Sequence, residues 1–155
     1  MSGPGDRRTA LLDVNVLIAL MDPRHVHHDL CHGWFAERGE RPWATCAITQ
    51  NAVLRILGHP RYPNSPGSPA VVSLLLRQLV THPQHQFWSA APSLLDHLAV
   101  DTAALLDPGQ ITDAYLLALA VHHSGVLATL DTRLNPQSVG NGPEALHVLA
   151  GASSG

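Results

Sequence analysis

The sequence predicts an α/β fold in which a central parallel sheet is covered by helices on both faces. Short apolar runs alternate with segments of helical periodicity along the 155 residues. Two of the predicted strands, residues 9–13 and 126–130, contain short apolar runs, Ala10-Leu11-Leu12 and Val126-Leu127-Ala128, which are typical of strands buried on both faces of a parallel sheet. We therefore expect one domain over residues 9–150, flanked by a disordered tail at residues 1–8 and a C-terminal tail at residues 151–155.

The first half of the chain begins with a strand that passes directly into a helix. Apolar residues at helical spacing fill residues 14–21, and Asp22-Pro23 ends that helix. Four prolines and a glycine predict a loop over residues 59–69. The other elements predicted in this half are a helix over residues 25–37, a strand over residues 43–46, a helix over residues 50–57 capped by Thr45 or Thr49, and a helix over residues 70–80.

The second half is built around a strongly apolar helix and the strand that follows it. Residues 112–123 form the predicted helix, Gly125 is its expected C-terminal cap, and residues 126–130 form the strand. The other elements predicted in this half are a strand over residues 86–89, short helical pieces over residues 93–106, a turn over residues 107–109 and a last strand over residues 146–149.

Three aspartates stand at the ends of predicted elements. Asp13 follows the first strand, Asp131 follows the strand over residues 126–130, and Asp113 lies in the first turn of a helix. Each alone is explained as a helix cap, a turn former or a charge that favours a helix N-terminus. Because parallel strands end at one edge of the sheet, however, we expect the three to meet there. Clustered carboxylates repel, and Mg²⁺ or Mn²⁺ relieves that repulsion, so together they predict a metal site that activates water.

The composition excludes several enzymes that also place an aspartate at the tip of the first strand. All nine basic residues are arginine. The chain therefore lacks the lysine that haloacid-dehalogenase-type phosphatases, response-regulator receivers and P-loop proteins require. The phosphatases also need a second aspartate where this chain has Asn15. The net charge of −3 argues against binding nucleic acid through overall charge.

Neither a membrane segment nor a zinc site is predicted. No apolar run is long enough to cross a bilayer and the N-terminal residues carry no signal-peptide pattern, so we expect a cytoplasmic protein. His28 and His32 lie four residues apart on one predicted helix. Since no second ligand pair accompanies them, a packed or solvated helix face is favoured over zinc binding.

Four short segments, taken in order, resemble the PIN domain and most closely the VapC toxins of bacterial toxin–antitoxin pairs. The segments are Leu11-Leu12-Asp13-Val14-Asn15-Val16-Leu17-Ile18, Trp43-Ala44-Thr45-Cys46-Ala47-Ile48-Thr49-Gln50-Asn51, Thr112-Asp113-Ala114-Tyr115-Leu116 and Thr129-Leu130-Asp131. They extend from the first strand to the fourth, so the likeness spans nearly the whole chain. It implies a PIN-like three-layer α/β/α sandwich with a central parallel sheet.

The resemblance implies a metal-dependent endoribonuclease that hydrolyses RNA phosphodiester bonds as the toxin of a type II toxin–antitoxin pair. Asp13, Asp113 and Asp131 match three acidic positions of the family and would hold Mg²⁺ or Mn²⁺. The fourth acid is usually a glutamate that opens the third helix, where this chain has Gln50. Because an amide is uncharged, metal binding should be weaker than in a site with four acids. Because an amide cannot act as a general base, catalysis should be less effective. An alternative hypothesis is an attenuated module that binds RNA or antitoxin with little turnover.

Further site residues and partners are expected from the same resemblance. Thr45, Thr49 and Asn15 are expected to orient ligands or water around the metal. Arg55 and Arg133 are expected to meet RNA phosphate as bidentate partners. The implied partners are an RNA substrate, a VapB-type antitoxin that blocks the acidic cleft, and a second copy of the chain in a homodimer.

Overall fold

The computed structural model describes residues 6–96 and 98–149, and within them a parallel sheet of five strands lies at the centre. The strands are β1 (Ala10–Leu12), β2 (Trp43–Cys46), β3 (His85–Trp88), β4 (Val126–Thr129) and β5 (Leu146–Val148). Their order in the sheet is β3-β2-β1-β4-β5, and every neighbouring pair is parallel. The predicted α/β class is confirmed.

Helices cover both faces of the sheet. In the described part of the chain these are α1 (Val14–Met21), α2 (His28–Glu37), α3 (Ala47–Leu57), α4 (Pro69–Leu79), α5 (Ile111–His122) and the short α6 (Gly142–Ala145). Side chains of α1 to α4 pack with Ala10 and Leu12 in one buried cluster, whereas α5 packs with Leu11 and Leu127 in the other. Adjacent residues of β1 thus face opposite layers, which gives a three-layer α/β/α sandwich. No helix in these residues is both long and apolar enough to cross a membrane.

The register of the two central strands brings their C-terminal ends together. Leu12 of β1 lies opposite Ala128 of β4. The backbone N–H of Asp13 continues this ladder by donating to the carbonyl of Ala128 at 2.9 Å. Asp13 therefore stands beside Thr129, the last residue of β4, at the edge where parallel α/β sheets bind ligands.

The third helix begins earlier than the sequence predicts. It starts at Ala47, and Cys46, with extended backbone, occupies the cap position expected for Thr45 or Thr49. Thr49 instead lies inside the helix, where its Oγ1 accepts the backbone N–H of Cys46 at 3.0 Å. A hydroxyl that satisfies a terminal backbone group from inside the helix carries the same sequence signal as a cap, which explains the error. Gln50 is consequently the fourth residue of α3.

The end of α5 corrects the role predicted for Gly125. Ser124 takes the left-handed position that glycine usually fills, with φ 56°, and the N–H of Gly125 donates to the carbonyl of Ala120 at 2.8 Å. Gly125 is needed for space instead. A Cβ there would lie 2.4 Å from the carbonyl oxygen of Thr9 and 2.7 Å from the ring of Trp88. The glycine therefore lets the chain enter β4 against its neighbours.

The N-terminal boundary differs from the expectation at residues 6–8. Asp6 forms an ion pair with Arg8 at 2.8 Å, and Arg8 donates to a backbone carbonyl of α6 at 3.0 Å. These contacts attach residues 6–8 to the domain. The first five residues of the tail predicted at residues 1–8, and the tail predicted at residues 151–155, lie outside the described residues.

Candidate active site

Asp13 is buried at the junction of β1 and α1. Its Oδ1 accepts the backbone N–H of Val14 at 2.7 Å, which caps the helix. Its Oδ2 accepts the hydroxyl hydrogen of Thr129 at 2.7 Å. Burial raises the pKa of Asp13 and the charge of Asp131 adds to the rise, while the two hydrogen bonds oppose it because they stabilise the ionised form. Both carboxylate oxygens are thus held in place.

Thr129, which the sequence prediction missed as a site residue, connects the acids. Its side chain is fully buried at the end of β4. Besides donating to Asp13, its Oγ1 accepts the backbone N–H of Asp131 at 3.0 Å and the side-chain amide of Asn15 at 3.4 Å. Asn15 in turn accepts the backbone N–H of Leu130 at 3.2 Å. One hydroxyl therefore fixes two acids relative to each other, and a threonine two residues before a strand-end aspartate was its only sequence signal.

Asp131 lies in the loop after β4 and is partly exposed. Its Oδ1 accepts the backbone N–H of Arg133 at 2.8 Å, a turn that aspartate commonly forms. The guanidinium Nε of Arg133 lies 3.8 Å from the same oxygen, and that side chain is 93% exposed. A solvated pair of this kind contributes little to stability, so the guanidinium remains available to a ligand.

Asp113 reaches the site from the opposite layer, in the first turn of α5. Burial, the charges of Asp13 and Asp131, and a hydrogen bond with Asp131 together raise the pKa of Asp113 to about 6. Part of this rise comes from the two neighbouring carboxylates, because like charges disfavour ionisation. The structure therefore brings the three predicted acids together, from two strand tips and one helix. Their catalytic role stays a prediction.

Asp113 and Asp131 line an open cleft of about 280 Å³. Its wall also includes Asp107, Gln110, Arg133 and Asn135. Asp107 is a third acid of this cleft, and the sequence predicts it only as part of a turn. Its Oδ1 accepts the backbone N–H of Gly109 at 2.9 Å, which explains why a turn signal and a cleft position coincide.

Gln50 is held by a hydrogen-bonded chain that runs to the edge strand. Its Nε2 donates to Oγ1 of Thr45 at 3.0 Å, and the same oxygen lies 2.7 Å from Nε2 of His85 in β3. Burial and the charge of His82 lower the pKa of His85, which favours a neutral ring able to accept the Thr45 hydroxyl hydrogen. Among the described residues no hydrogen bond joins Gln50 to the three aspartates.

The remaining predicted site residues divide between the acidic cleft and other places. Asn15 and Arg133 contact the acidic residues, as described above, and Thr45 supports Gln50. Thr49 is fully buried and its hydroxyl is used at the start of α3. Arg55 lines a different pocket, near the C-terminal end of α3.

The atoms of this site that could bind a metal ion are carboxylate oxygens. Within residues 6–96 and 98–149 no three His, Cys, Asp or Glu side chains converge as a ready-formed metal site. Asp113 and Asp131 instead share a hydrogen bond, which needs a proton on one of the two carboxyls. Clustered carboxylate oxygens suit a hard divalent cation, and a bound cation would replace that proton.

These features define a class of protein, an α/β domain with an acidic cleft at the carboxyl edge of its parallel sheet. Comparison with known proteins identifies the family within this class. The PIN domain family model matches residues 10–136, which is most of the chain, and the protein belongs to the PIN domain family.

Several curated relatives come from Mycobacterium tuberculosis. Ribonuclease VapC44 is 49% identical over 123 residues, which cover 79% of this chain and 85% of that protein. Ribonuclease VapC39 is 37% identical over 126 residues, which cover 81% of this chain and 91% of that protein. Among solved structures, a chain in the structure of FitAB bound to an IR36 DNA fragment aligns with a TM-score of 0.58. That match covers 92% of this chain and 96% of the other at 17% identity, so it supports the fold alone.

Proposed function

We propose that this protein is a divalent-metal-dependent endoribonuclease that hydrolyses RNA phosphodiester bonds as the toxin of a type II toxin–antitoxin pair. The ribonuclease class rests on membership of the PIN domain family and on relatives that are named VapC ribonucleases. The observation that carries the proposed site is the coupling of Asp113 to Asp13 and Asp131, which helps to raise the pKa of Asp113 to about 6.

The three carboxylates are the groups that would hold Mg²⁺ or Mn²⁺. Their oxygen atoms match the preference of these hard cations, and their mutual repulsion in the metal-free protein is relieved when positive charge enters. When bound, the cation supplies Lewis-acid polarisation of a phosphate oxygen and activation of water.

Neighbouring side chains orient the acids, and the acids differ in how readily they bind a proton. Thr129 keeps Oδ2 of Asp13 in one orientation through a hydrogen bond of 2.7 Å. Asp113, with a pKa of about 6, carries a proton in part of the metal-free molecules at neutral pH and releases it when the site takes up a cation. Arg133, exposed beside Asp131, is the cation of the cleft wall that can meet a phosphate oxygen.

The proposed partners are RNA, a VapB-type antitoxin and a second copy of the chain. An antitoxin segment seated in the open cleft would cover Asp113 and Asp131. A homodimer would have an apolar surface available on α4, where Val71, Leu74 and Leu75 are exposed at helical spacing. Because its substrate is cellular RNA, we place the protein in the cytoplasm.

Cleavage of total cellular RNA by the purified protein tests the proposal. We expect cleavage with Mn²⁺ or Mg²⁺, its loss on addition of a chelator, and its loss in Asp13→Asn. Asparagine also caps helices, so this variant should keep its fold. The control is Asp29→Asn, which removes the same charge from an exposed position on α2 and should cleave normally. Persistent cleavage by Asp13→Asn would overturn the site assignment.

A second candidate function, an attenuated binding module, is favoured by the neutral side chain of Gln50. Its amide donates to Thr45 and supplies no charge to a cation. RNA incubated with excess protein and Mn²⁺ distinguishes the two. Retention of intact RNA in a gel-shift assay, without product, would support the binding module, whereas appearance of product would support the enzyme.

A further inference from the structure

A second pocket lies near the C-terminal end of α3 and has a different chemistry from the acidic cleft. It measures about 300 Å³ and is lined by Arg55, Ile56, His59, Arg61, Tyr62 and Pro63. Half of these side chains are arginine or histidine. Within the described residues, no ion pair or side-chain hydrogen bond engages the guanidinium group of Arg55 or Arg61. The guanidinium groups of Arg55 and Arg61 are thus available to bind an external anion.

The pocket is held in shape by Asp22, a buried residue at the end of α1 that is only 3% exposed. Its Oδ2 accepts the hydroxyl of Tyr62 at 2.6 Å and the side-chain amide of Asn64 at 3.1 Å. Its Oδ1 accepts the backbone N–H of Arg24 at 2.9 Å. Burial alone would raise the pKa of Asp22, but these hydrogen bonds outweigh it and the pKa is lowered. An ionised Asp22 therefore fixes the loop after α3 against α1.

The histidine of the pocket is oriented as well. His59 Nδ1 accepts the backbone N–H of Arg61 at 3.0 Å. In the neutral ring this bond places the hydrogen on Nε2, which is then the donor available to a ligand. With Arg55 and Arg61, the pocket thus offers three donor groups and a wall of Ile56, Tyr62 and Pro63.

The charge distribution favours a polyanion as the occupant. The chain has a net charge of −3, and the acidic cleft places Asp107, Asp113 and Asp131 where an RNA phosphate must approach. Its one arginine, Arg133, lies next to Asp131. Cations elsewhere on the surface must therefore supply attraction for the substrate, since phosphate contacts dominate nucleic-acid affinity. Arginine matches phosphate oxygens bidentately, and ring surfaces accept ribose or unstacked bases.

We propose that Arg55 and Arg61 form a second RNA-binding subsite that holds backbone phosphates of single-stranded RNA, with the nucleoside against Tyr62. This inference rests on the proposed ribonuclease function. The subsite lies near the end of α1 opposite Asp13, since Asp22 follows that helix. The eight residues of α1 separate the two aspartates by about 14 Å, a distance that one bound RNA strand can span.

Binding of fluorescently labelled single-stranded RNA in the presence of chelator tests the subsite without cleavage. Arg55→Gln, Arg61→Gln and the double variant are compared with wild type over a series of salt concentrations. Each phosphate contact that is lost should lower the slope of log affinity against log salt by about 0.7, so the double variant should lose about 1.4. Arg77→Gln, an exposed arginine of α4 outside the pocket, is the matched control and should keep the wild-type slope.

The outcomes separate this subsite from the catalytic proposal. A double variant with the same slope and affinity as Arg77→Gln overturns the subsite. Poly-L-glutamate that displaces RNA as well as unlabelled RNA does at equal charge would indicate an acidic-peptide surface and also overturn it. If the slopes change as expected but Mn²⁺ brings no cleavage in any form, the subsite stands and the nuclease proposal fails. If RNA is cleaved with Mn²⁺ but the salt slopes of the arginine variants equal that of wild type, the nuclease proposal stands and the subsite fails.

Discussion

At the level of single residues, the charge of the acidic cleft depends on the protonation of Asp113. Its pKa is raised from 3.8 to about 6 by burial and by the neighbouring carboxylates. Between these two values the folded metal-free protein binds more protons than the unfolded chain. The contribution of this group to stability is therefore most favourable below about pH 4 and declines as the pH rises through about 6.

Replacement of Asp113 by asparagine should raise the melting temperature of the metal-free protein, because it removes one of three repelling carboxylates. If the relief amounts to about 1 kcal/mol, the increase is roughly 2–4 °C for a chain of this size. Thermal unfolding in chelator at pH 5 and pH 7.5 measures it, and the gain should be larger at pH 7.5. A lower melting temperature at both values would identify Asp113 as an ordinary helix-end acid.

Thr129 makes its contribution through position rather than charge. Thr129→Val keeps the shape of the side chain but removes the hydrogen bonds to Asp13 and the backbone of Asp131. We expect a loss of about 1–3 kcal/mol in the free energy of unfolding, because buried groups are left unpaired, together with a large loss of RNA cleavage. Thr129→Ser retains the hydroxyl and should recover most of the cleavage, measured at equal protein concentration. Equal cleavage by the valine variant would rule out this positioning role.

Gln50→Glu tests the departure from the family's acidic pattern. If Gln50 faces the cation, a carboxylate should tighten Mn²⁺ binding, because an anionic oxygen binds a hard cation better than an amide oxygen. Apo stability should fall, since a further negative charge joins the acids. Titration calorimetry with Mn²⁺ and RNA cleavage assays compare the variant with wild type. Asn51→Asp adds the same charge one residue later, at an exposed position, and serves as the control. Unchanged Mn²⁺ affinity in Gln50→Glu would place Gln50 outside the metal site.

At the level of elements, the junction of α5 and β4 positions the Asp131 loop. The backbone turns through Ser124 with φ 56°, and Gly125 then passes close to Thr9 and Trp88. A glycine would be favoured at position 124 because of its backbone conformation, and a glycine is needed at position 125 because of the lack of space. Ser124 sits in a conformation that disfavours a side chain, whereas Gly125 occupies a place with no room for one.

Two substitutions at this junction should therefore change stability in opposite directions. Gly125→Ala should lower the free energy of unfolding by about 1–3 kcal/mol, as overpacking usually does. Ser124→Gly should raise it by about 0.5–1 kcal/mol, because the left-handed strain is removed while the unfolded chain gains some freedom. Urea unfolding measures both. If Gly125→Ala leaves the free energy of unfolding unchanged, the backbone of Thr9 must move away easily.

At the level of the whole molecule, charge is unevenly distributed over a chain of net charge −3. Acids gather at the carboxyl edge of the sheet, while Arg55 and Arg61 lie around the pocket beyond α3. The folded metal-free protein therefore carries repulsion that the unfolded chain largely escapes. Binding of a divalent cation should couple directly to global stability.

Mn²⁺ should consequently stabilise the folded protein by mass action. About 2.7 kcal/mol is expected at a hundredfold excess of free metal over its dissociation constant. Urea unfolding with and without Mn²⁺ measures this gain, and Asp113→Asn should show a smaller one at the same metal concentration. An equal gain in the variant would mean that the metal binds elsewhere, for instance at the surface histidines.

The order and type of the main elements follow from the sequence alone. Apolar runs and helical spacing are local properties, so the predicted strands and longer helices lie within three residues of their observed bounds. The sequence does not predict the short helix α6, because four residues are too few to show helical periodicity. The three aspartates were also accessible, since an acid at the end of a buried run is visible in the sequence.

Only the tertiary structure decided how these acids interact. The Thr129–Asp13 hydrogen bond joins residues 116 apart, and it depends on the register of β1 against β4. The pKa of Asp113 depends equally on α5 packing across the sheet from α1. The sequence predicts a helix cap at Gly125 because the close approach of Trp88 depends on tertiary packing and leaves no local signal. Periodicity is read from neighbours in sequence, whereas pKa values, close contacts and clefts depend on distances between residues that only folding brings together.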